Sequence, residues 1–279
     1  MQILDGKSYS KEIGETLKKE ISELEKTLKL VVILVGDNEA SKIYVRNKEK
    51  KANLLGIDFE LIKYSNDVSE DEIISKIEEL NLDPKVTSIL VQLPLPIHLN
   101  ERNILEKINY LKDADGLTSH NIGNLLLDKE GIISCTPKGI VELLKHYDIP
   151  LEGKNAVVIG RSNIVGKPIS YLLLKENATV TMCHSKTKNL AYFTKEADIL
   201  VVAVGKSKFI KADMIKDGAV IVDVGINRED GKLTGDVDFE EVKDKCSYIT
   251  PVPGGVGPMT VIMLYDNVLN CFKLQKNKS

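Results

Sequence analysis

Residues 155–185 read NAVVIGRSNIVGKPISYLLLKENATVTMCHS: an apolar run, a glycine turn, a helix-forming stretch and a second apolar run. Gly160 ends the first run. Ser162 or Asn163 is an acceptable helix cap. Gly166 falls early in the expected helix, where a missing side chain permits close approach of the backbone to a strand or a ligand. Such a strand–turn–helix aims unpaired N–H groups at an anion, typically the pyrophosphate of a dinucleotide. The glycine spacing departs from the usual G-x-G-x-x-G, so the motif alone fits either a dinucleotide site or an ordinary tight turn. The end of the second run favours the first reading and refines it. NAD sites commonly place an acid there for the ribose hydroxyls, whereas this chain has His184, Ser185, Lys186 and Thr187. Arg161 lies beside the turn, and its fork of donors suits a 2′-phosphate. The expected cofactor is therefore NADP rather than NAD; the alternative for Arg161 is a solvated surface position.

Other groupings could carry chemistry, each with a bland counterpart. Tyr44 and Lys48 are four residues apart and share a helix face; Tyr44 also suits a half-buried core position, and Lys48 a solvated helix face. Gln92 sits near the carboxyl end of a strand, where open parallel sheets place ligands, and equally suits an amide that satisfies loop backbone. Asp113 and Asp115 form an acidic cluster or an acidic turn. PVPGGVGP at 251–258 is either a linker or a rigid loop pressed against a ligand. Cysteines 135, 183, 246 and 271 and the four histidines are scattered without ligand spacing, so no metal site is expected, and reduced thiols in a reducing compartment are.

The elements that must position these residues follow from periodicity. A short lead-in strand over 1–7 precedes a helix from Ser8 or Ser10 to about Thr27, apolar at Ile13, Leu17, Ile21 and Leu24. Leu28 to Val35 reads as a buried parallel strand. A helix to Leu55 stops at Gly56. Strands follow at Phe59–Tyr64 and Val86–Leu93, separated by a helix capped by Ser69 with Glu72. Pro94 and Pro96 impose a rigid exit. Residues 111–136 read as an irregular functional loop and crossover. Thr136 caps the next helix, with Pro137 in its first turn. Beyond residue 185, a helix at 189–197 and strands at 198–204 and 219–224 complete an open sheet. Residues 226–250 read as loop-rich, with a turn at Gly235-Asp236-Val237, and a helix runs from Met259 to about Leu274.

The chain has 279 residues, 28% charged, with a net charge of −3. No basic excess attracts nucleic acid or anionic lipid, no apolar run is long enough for a membrane span, and the start lacks a signal-peptide core.

Together these segments resemble the bifunctional methylenetetrahydrofolate dehydrogenase/methenyltetrahydrofolate cyclohydrolase family. The matching stretches are SKIYVRNKEKKA (41–52), VQLPLP (91–96), KDADG (112–116), CTPKG (135–139), GRSNIVGKP (160–168), CHSKT (183–187), VDVGIN (222–227), GDVDF (235–239) and TPVPGGVGPMT (250–260). Their order and spacing are specific. Ala114 and Ser134 are small departures that remove no reactive group.

The resemblance implies an α/β fold of two α/β domains. Residues 1–138 with 259–279 would form a folate-binding domain on a small parallel sheet, and 139–258 a Rossmann-like NAD(P)-binding domain, the C-terminal helix packing back on the first. It implies oxidation of 5,10-methylenetetrahydrofolate to the methenyl form with NADP, then hydrolysis to 10-formyltetrahydrofolate, with folate in the cleft between domains. Lys48 matches the catalytic lysine, Tyr44 the tyrosine packed on folate, Gln92 the partner of the lysine and Asp115 the carboxylate on the pterin ring. Leu93 and the loop residues Pro251, Gly254, Gly255 and Pro258 would complete the substrate site. Cofactor contacts would come from Gly160, Arg161, Ser162, Ile164, Gly166, His184, Ser185, Thr187, Gly205, Gly225 and Ile226. A cytoplasmic homodimer joined through the nucleotide-binding domains is implied, with tetrahydrofolate derivatives as ligands and neither nucleic acid nor membrane as partner. A dehydrogenase lacking the hydrolytic step and a non-catalytic nucleotide-binding protein are the rivals.

Overall fold

The computed structural model describes residues 1–229 and 231–278. The chain forms two compact units, Met1–Glu12 with Ser134–Met263 and Ile13–Ile133 with Leu264–Ser279.

Up to residue 133 the elements are β1 (Gln2–Ile3), α1 (Gly6–Ser22), β2 (Lys29–Val35), α2 (Glu39–Leu55), β3 (Asp58–Tyr64), α3 (Glu70–Leu82), β4 (Ser88–Val91), α4 (Glu101–Glu106) and α5 (Ser119–Leu126). The unit holding most of them is built on a parallel sheet of order β3-β2-β4. The aliphatic run of β2 is buried on both faces, as a covered central parallel strand requires. Val31, Ile33 and Val35 pack with Ile73, Ile77 and Leu80 of α3 and with Ile104 of α4. Asn38 caps α2 by accepting from the Ser41 N–H, and Gly56 ends it at φ 77°, in the left-handed region that favours glycine. Helix α1 stops earlier than its apolar spacing predicts, at Ser22, whose hydroxyl donates back to the Lys19 carbonyl.

The stretch expected to be irregular is ordered. Asp113 pairs in parallel with Ile89 of β4, so 112–114 lie along the sheet edge. Helix α5 follows, its first turn capped by the Thr118 side chain. Glycines and acids hide this in the sequence; the Thr118 cap is the one local signal.

From residue 134 the elements are α6 (Cys135–His146), β5 (Asn155–Ile159), α7 (Gly166–Lys175), β6 (Thr179–Cys183), α8 (Leu190–Thr194), β7 (Ile199–Val202), a 3₁₀ turn at Ala212–Met214, β8 (Val220–Asp223), β9 (Asn227–Glu229), β10 (Lys232–Thr234), α9 (Phe239–Val242), β11 (Tyr248–Ile249) and α10 (Val256–Lys278). Six strands form a parallel sheet of order β1-β11-β8-β7-β5-β6. Strand order reverses at β5, which makes a crevice at the carboxyl ends of the strands beside it. The sequence reading ends this sheet at β8. Strand β11 and the β9–β10 hairpin occupy a segment read as loop, because two or three residues are too few to show a period.

The cap of α6 is Ser134, not Thr136 as the sequence suggests. Thr136 lies inside α6, and its hydroxyl pairs with that of Thr260 at 2.9 Å. Ser134 holds the cap position and makes no side-chain cap bond, because its hydroxyl donates to the Ile164 carbonyl.

The second half of α10 packs on the unit built around β2. Cys271 and Leu274 cover Ile132. The Asn267 amide donates to the Ala114 and Ile133 carbonyls at 2.9 and 2.8 Å. Gln275 donates to the carbonyls of Thr87 and Leu111. The expected docking of the terminal helix is thus made largely by buried amides on an apolar helix.

Candidate functional site

The glycine turn after β5 is shaped by close backbone contact. A side chain on Gly160 (φ 136°) would meet the Ala203 carbonyl oxygen at 2.4 Å, and one on Gly166 would meet the Gly160 oxygen at 2.3 Å. Gly166 therefore brings the start of α7 against the strand end, the packing role of a fingerprint glycine. Regular helix begins at Gly166, not near Ser162. The Ser162 hydroxyl accepts from the N–H groups of Val165 and Gly166 at 3.2 and 3.3 Å, tightening the turn before the helix. Among the described residues, the N–H groups of Arg161, Ser162 and Asn163 have no protein acceptor, and all three side chains are exposed. An anion placed there would meet free donors and a helix N-terminus.

At the end of β6, the His184 N–H donates to the Thr187 hydroxyl and the Thr187 N–H to the His184 carbonyl. This closed turn presents Ser185 and Lys186 to solvent. Among the described residues of that turn there is no carboxylate to accept ribose hydroxyls. Ile164 and Ile226 are 45% and 51% exposed, apolar surface with no place in the core.

Two buried aspartates hold the turns after β7 and β8. Asp236 accepts the N–H groups of Val204, Gly205 and Lys206 at 2.7, 2.9 and 2.8 Å, and the Asn227 amide at 2.9 Å. Asp223 accepts those of Gly225, Asp236 and Val237, each at 2.9 Å. Burial pushes the Asp223 carboxyl up to about 6 despite these donors. At the expected turn Gly235-Asp236-Val237, Val237 pairs with Ile210 and Asp236 is fully buried.

The proline–glycine loop is pinned, not a slack linker. The Lys7 N–H donates to the Gly254 carbonyl, and the Gly255 N–H to the Pro251 carbonyl, both at 2.8 Å. A side chain on Gly6 would meet the Gly255 oxygen at 2.0 Å. Pro258 sits in the first turn of α10.

In the other unit, Lys48 Nζ donates to Gln92 Oε1 at 2.9 Å. Gln92 Nε2 donates to the Leu93 carbonyl at 2.7 Å, which turns the amide oxygen toward the lysine. The Tyr265 hydroxyl donates to the Lys48 carbonyl. Tyr44, one turn before Lys48, is 42% exposed. Asp113 bridges to Ile89 of β4, and the Gly116 N–H donates back to the Asp113 carbonyl, so Asp115 lies in the turn just past that bridge. Gln92 directly follows β4, and Asp115 follows the residue that pairs with that strand. Asp113 is buried and takes the Thr118 N–H and the Asn121 amide, so it serves the loop. Lys112 is equally structural: burial holds its amine below the ordinary lysine value, and it donates to the Leu80 and Asp83 carbonyls.

Comparison with known proteins decides the family. A family model described as tetrahydrofolate dehydrogenase/cyclohydrolase, catalytic domain, matches residues 4–115, and one described as its NAD(P)-binding domain matches 134–276. The chain belongs to the tetrahydrofolate dehydrogenase/cyclohydrolase family. It is 54% identical over 275 residues to the bifunctional protein FolD of Bacillus subtilis, covering 97% of each chain. The crystal structure of the bifunctional FolD enzyme of Campylobacter jejuni has a TM-score of 0.97 at 48% identity, over 99% of each chain. That of Trypanosoma brucei FolD, complexed with NADP cofactor and inhibitor, has a TM-score of 0.94 at 36% identity over 98% of each chain.

As a member of this dehydrogenase/cyclohydrolase family, the protein is a bifunctional enzyme acting on methylenetetrahydrofolate with a nicotinamide dinucleotide. The free N–H groups and the Gly160–Gly166 contact fit such a dinucleotide. Sequence reasoning missed Asp223, Asp236, Tyr265 and Asn267 as supports. The two aspartates lie inside motifs that carried the resemblance, while Tyr265 and Asn267 are marked only as polar groups within an apolar helix.

Proposed function

We propose that Tyr44, Lys48, Gln92, Leu93 and Asp115 contribute the tetrahydrofolate site, and that Lys48 carries the hydrolytic step. The observation that supports this most is the Lys48–Gln92 hydrogen bond, with Gln92 fixed in turn by the Leu93 carbonyl. When bound, the nicotinamide dinucleotide supplies the hydride acceptor. Loss of hydride from the one-carbon unit is helped by a folate nitrogen lone pair and needs alignment more than a base. The exposed Tyr44 ring offers the flat contact that holds the folate in place, and the Asp115 carboxylate suits the N–H groups of a pterin ring.

The second step needs water to attack the cationic methenyl carbon and a group to take its proton. Lys48 takes that proton when neutral, a form favoured by a cation held beside it. Gln92 accepts from the amine and directs it. The ring then opens as the carbon–nitrogen bond breaks: the added hydroxyl gives up its proton to become the formyl oxygen, the leaving nitrogen gains one, and the formyl group stays on the other nitrogen.

We further propose NADP as the preferred cofactor, with Arg161 and Ser185 taking the 2′-phosphate. Exposed Arg161 beside the turn, and the absence of an acid in the described turn 184–187, support this. Assembly as a cytoplasmic homodimer through the nucleotide-binding unit is part of the proposal. Edge strand β6 and four buried free thiols are consistent with it.

Lys48→Met tests the reading, assayed separately for each step. Cyclohydrolase turnover is expected to vanish, with a smaller effect on dehydrogenase turnover. Decay of the methenyl chromophore at the wild-type rate would refute the assignment.

A further inference from the structure

The two buried aspartates do more than fill the interior of the nucleotide-binding unit. Each gathers three backbone N–H groups from loops, which regular secondary structure cannot do. Asp236 takes the whole turn after β7, Val204 to Lys206, on one carboxylate. Its Oδ1 also takes the Asn227 amide, just past Gly225 and Ile226. Asp223 sits behind it. One of its oxygens accepts both the Gly225 N–H and the N–H of Asp236 itself. The turns after β7 and β8 are therefore set against each other through carboxylates.

The glycines are shaped by the same pair. A side chain on Gly225 would come within 2.3 Å of the Asp236 carboxylate, and one on Gly235 within 1.8 Å of Asp223 Oδ2. Gly225 is thus glycine because Asp236 lies against it, whatever else approaches that turn.

Sheet order says which part of a dinucleotide these turns would meet. The pyrophosphate belongs at the Gly160 turn after β5, and the 2′-phosphate donors lie there and at the end of β6. A dinucleotide lies across the carboxyl ends of the strands, so its other half extends over β7, the neighbour of β5 on the opposite side, and β8 beyond it.

We propose that Asp236, backed by Asp223, is a positioning residue for the nicotinamide half of the cofactor, acting through the turns that carry Gly205, Gly225 and Ile226. This rests on the reading of residues 160–187 as the site for the pyrophosphate and 2′-phosphate.

The test is binding to the full-length protein of two probes, NADP and 2′,5′-ADP, the second lacking the nicotinamide half. In Asp236→Asn an NH₂ group replaces one carboxylate oxygen and faces backbone donors. The Kd for NADP is expected to rise about tenfold or more, the equivalent of one charged hydrogen bond. The Kd for 2′,5′-ADP should stay within about twofold of wild type. Loss of negative charge alone would tighten both anionic probes, opposite in sign to the expected result. Asn227→Ala keeps the three backbone bonds and removes the fourth; a smaller rise, about threefold for NADP alone, is expected. It decides the question if Asp236→Asn does not fold. Unchanged NADP binding in the folded variants, or a parallel loss of both probes, would overturn the proposal. A wild-type chain that binds neither probe would overturn the underlying nucleotide reading instead.

Discussion

The proposed preference for NADP rests on one side chain, Arg161. It is exposed, beside a turn with free N–H groups, and the turn at 184–187 offers hydroxyl and amine donors rather than an acid. A guanidinium there gains a bidentate partner only when the ribose carries a phosphate. Arg161→Ala is therefore expected to raise KM for NADP more than KM for NAD, read from initial rates with each cofactor. Equal effects on both would show that the residue does not recognise the 2′-phosphate. Lys48 is the opposite kind of case. With Lys50 and Lys51 beside it, nothing in its spacing separates it from a solvated helix face. Only the family resemblance singles it out in the sequence, and the Gln92 amide is the physical feature that distinguishes it in the fold.

Among the elements, α10 bears most on the folate-side loops. Asn267 is fully buried, and its amide satisfies two carbonyls, one of them Ala114 beside Asp115. Asn267→Leu would leave both carbonyls without that donor. The expected cost is about 2–4 kcal/mol of stability, measured by urea unfolding, together with a raised KM for folate. A loss below about 0.5 kcal/mol, typical of a surface change, would mean that the amide is not needed. The legible elements were those whose pattern is set by burial. Strand β2 reads as a continuous aliphatic run because both faces are covered, and α2 is bounded by Asn38 and Gly56 through local backbone chemistry. Helix α5, the β9–β10 hairpin and β11 were not legible. They are short, and β11 is specified by pairing with strands at the chain start and at β8. The supports at Asp223 and Asp236 escaped for the same reason. Their partners lie up to 32 residues away in loops, where no periodicity records them.

The whole molecule joins two chemistries on one folate. Oxidation draws on a nicotinamide dinucleotide and needs alignment; hydrolysis needs a proton acceptor at the one-carbon unit. The family match spans 4–115 and 134–276, so the parts required for both steps are carried by one chain, while the proposed hydrolytic step rests on a single amine. The most direct measurement is a crystal structure of the protein with NADP and a folate analogue, read at Lys48 Nζ. That nitrogen is expected within about 4 Å of the position of the one-carbon unit, a reach spanned directly or through one water, with Gln92 Oε1 still accepting from it. A Lys48 amine turned into bulk solvent, away from the bound folate, would contradict the proposed hydrolytic role.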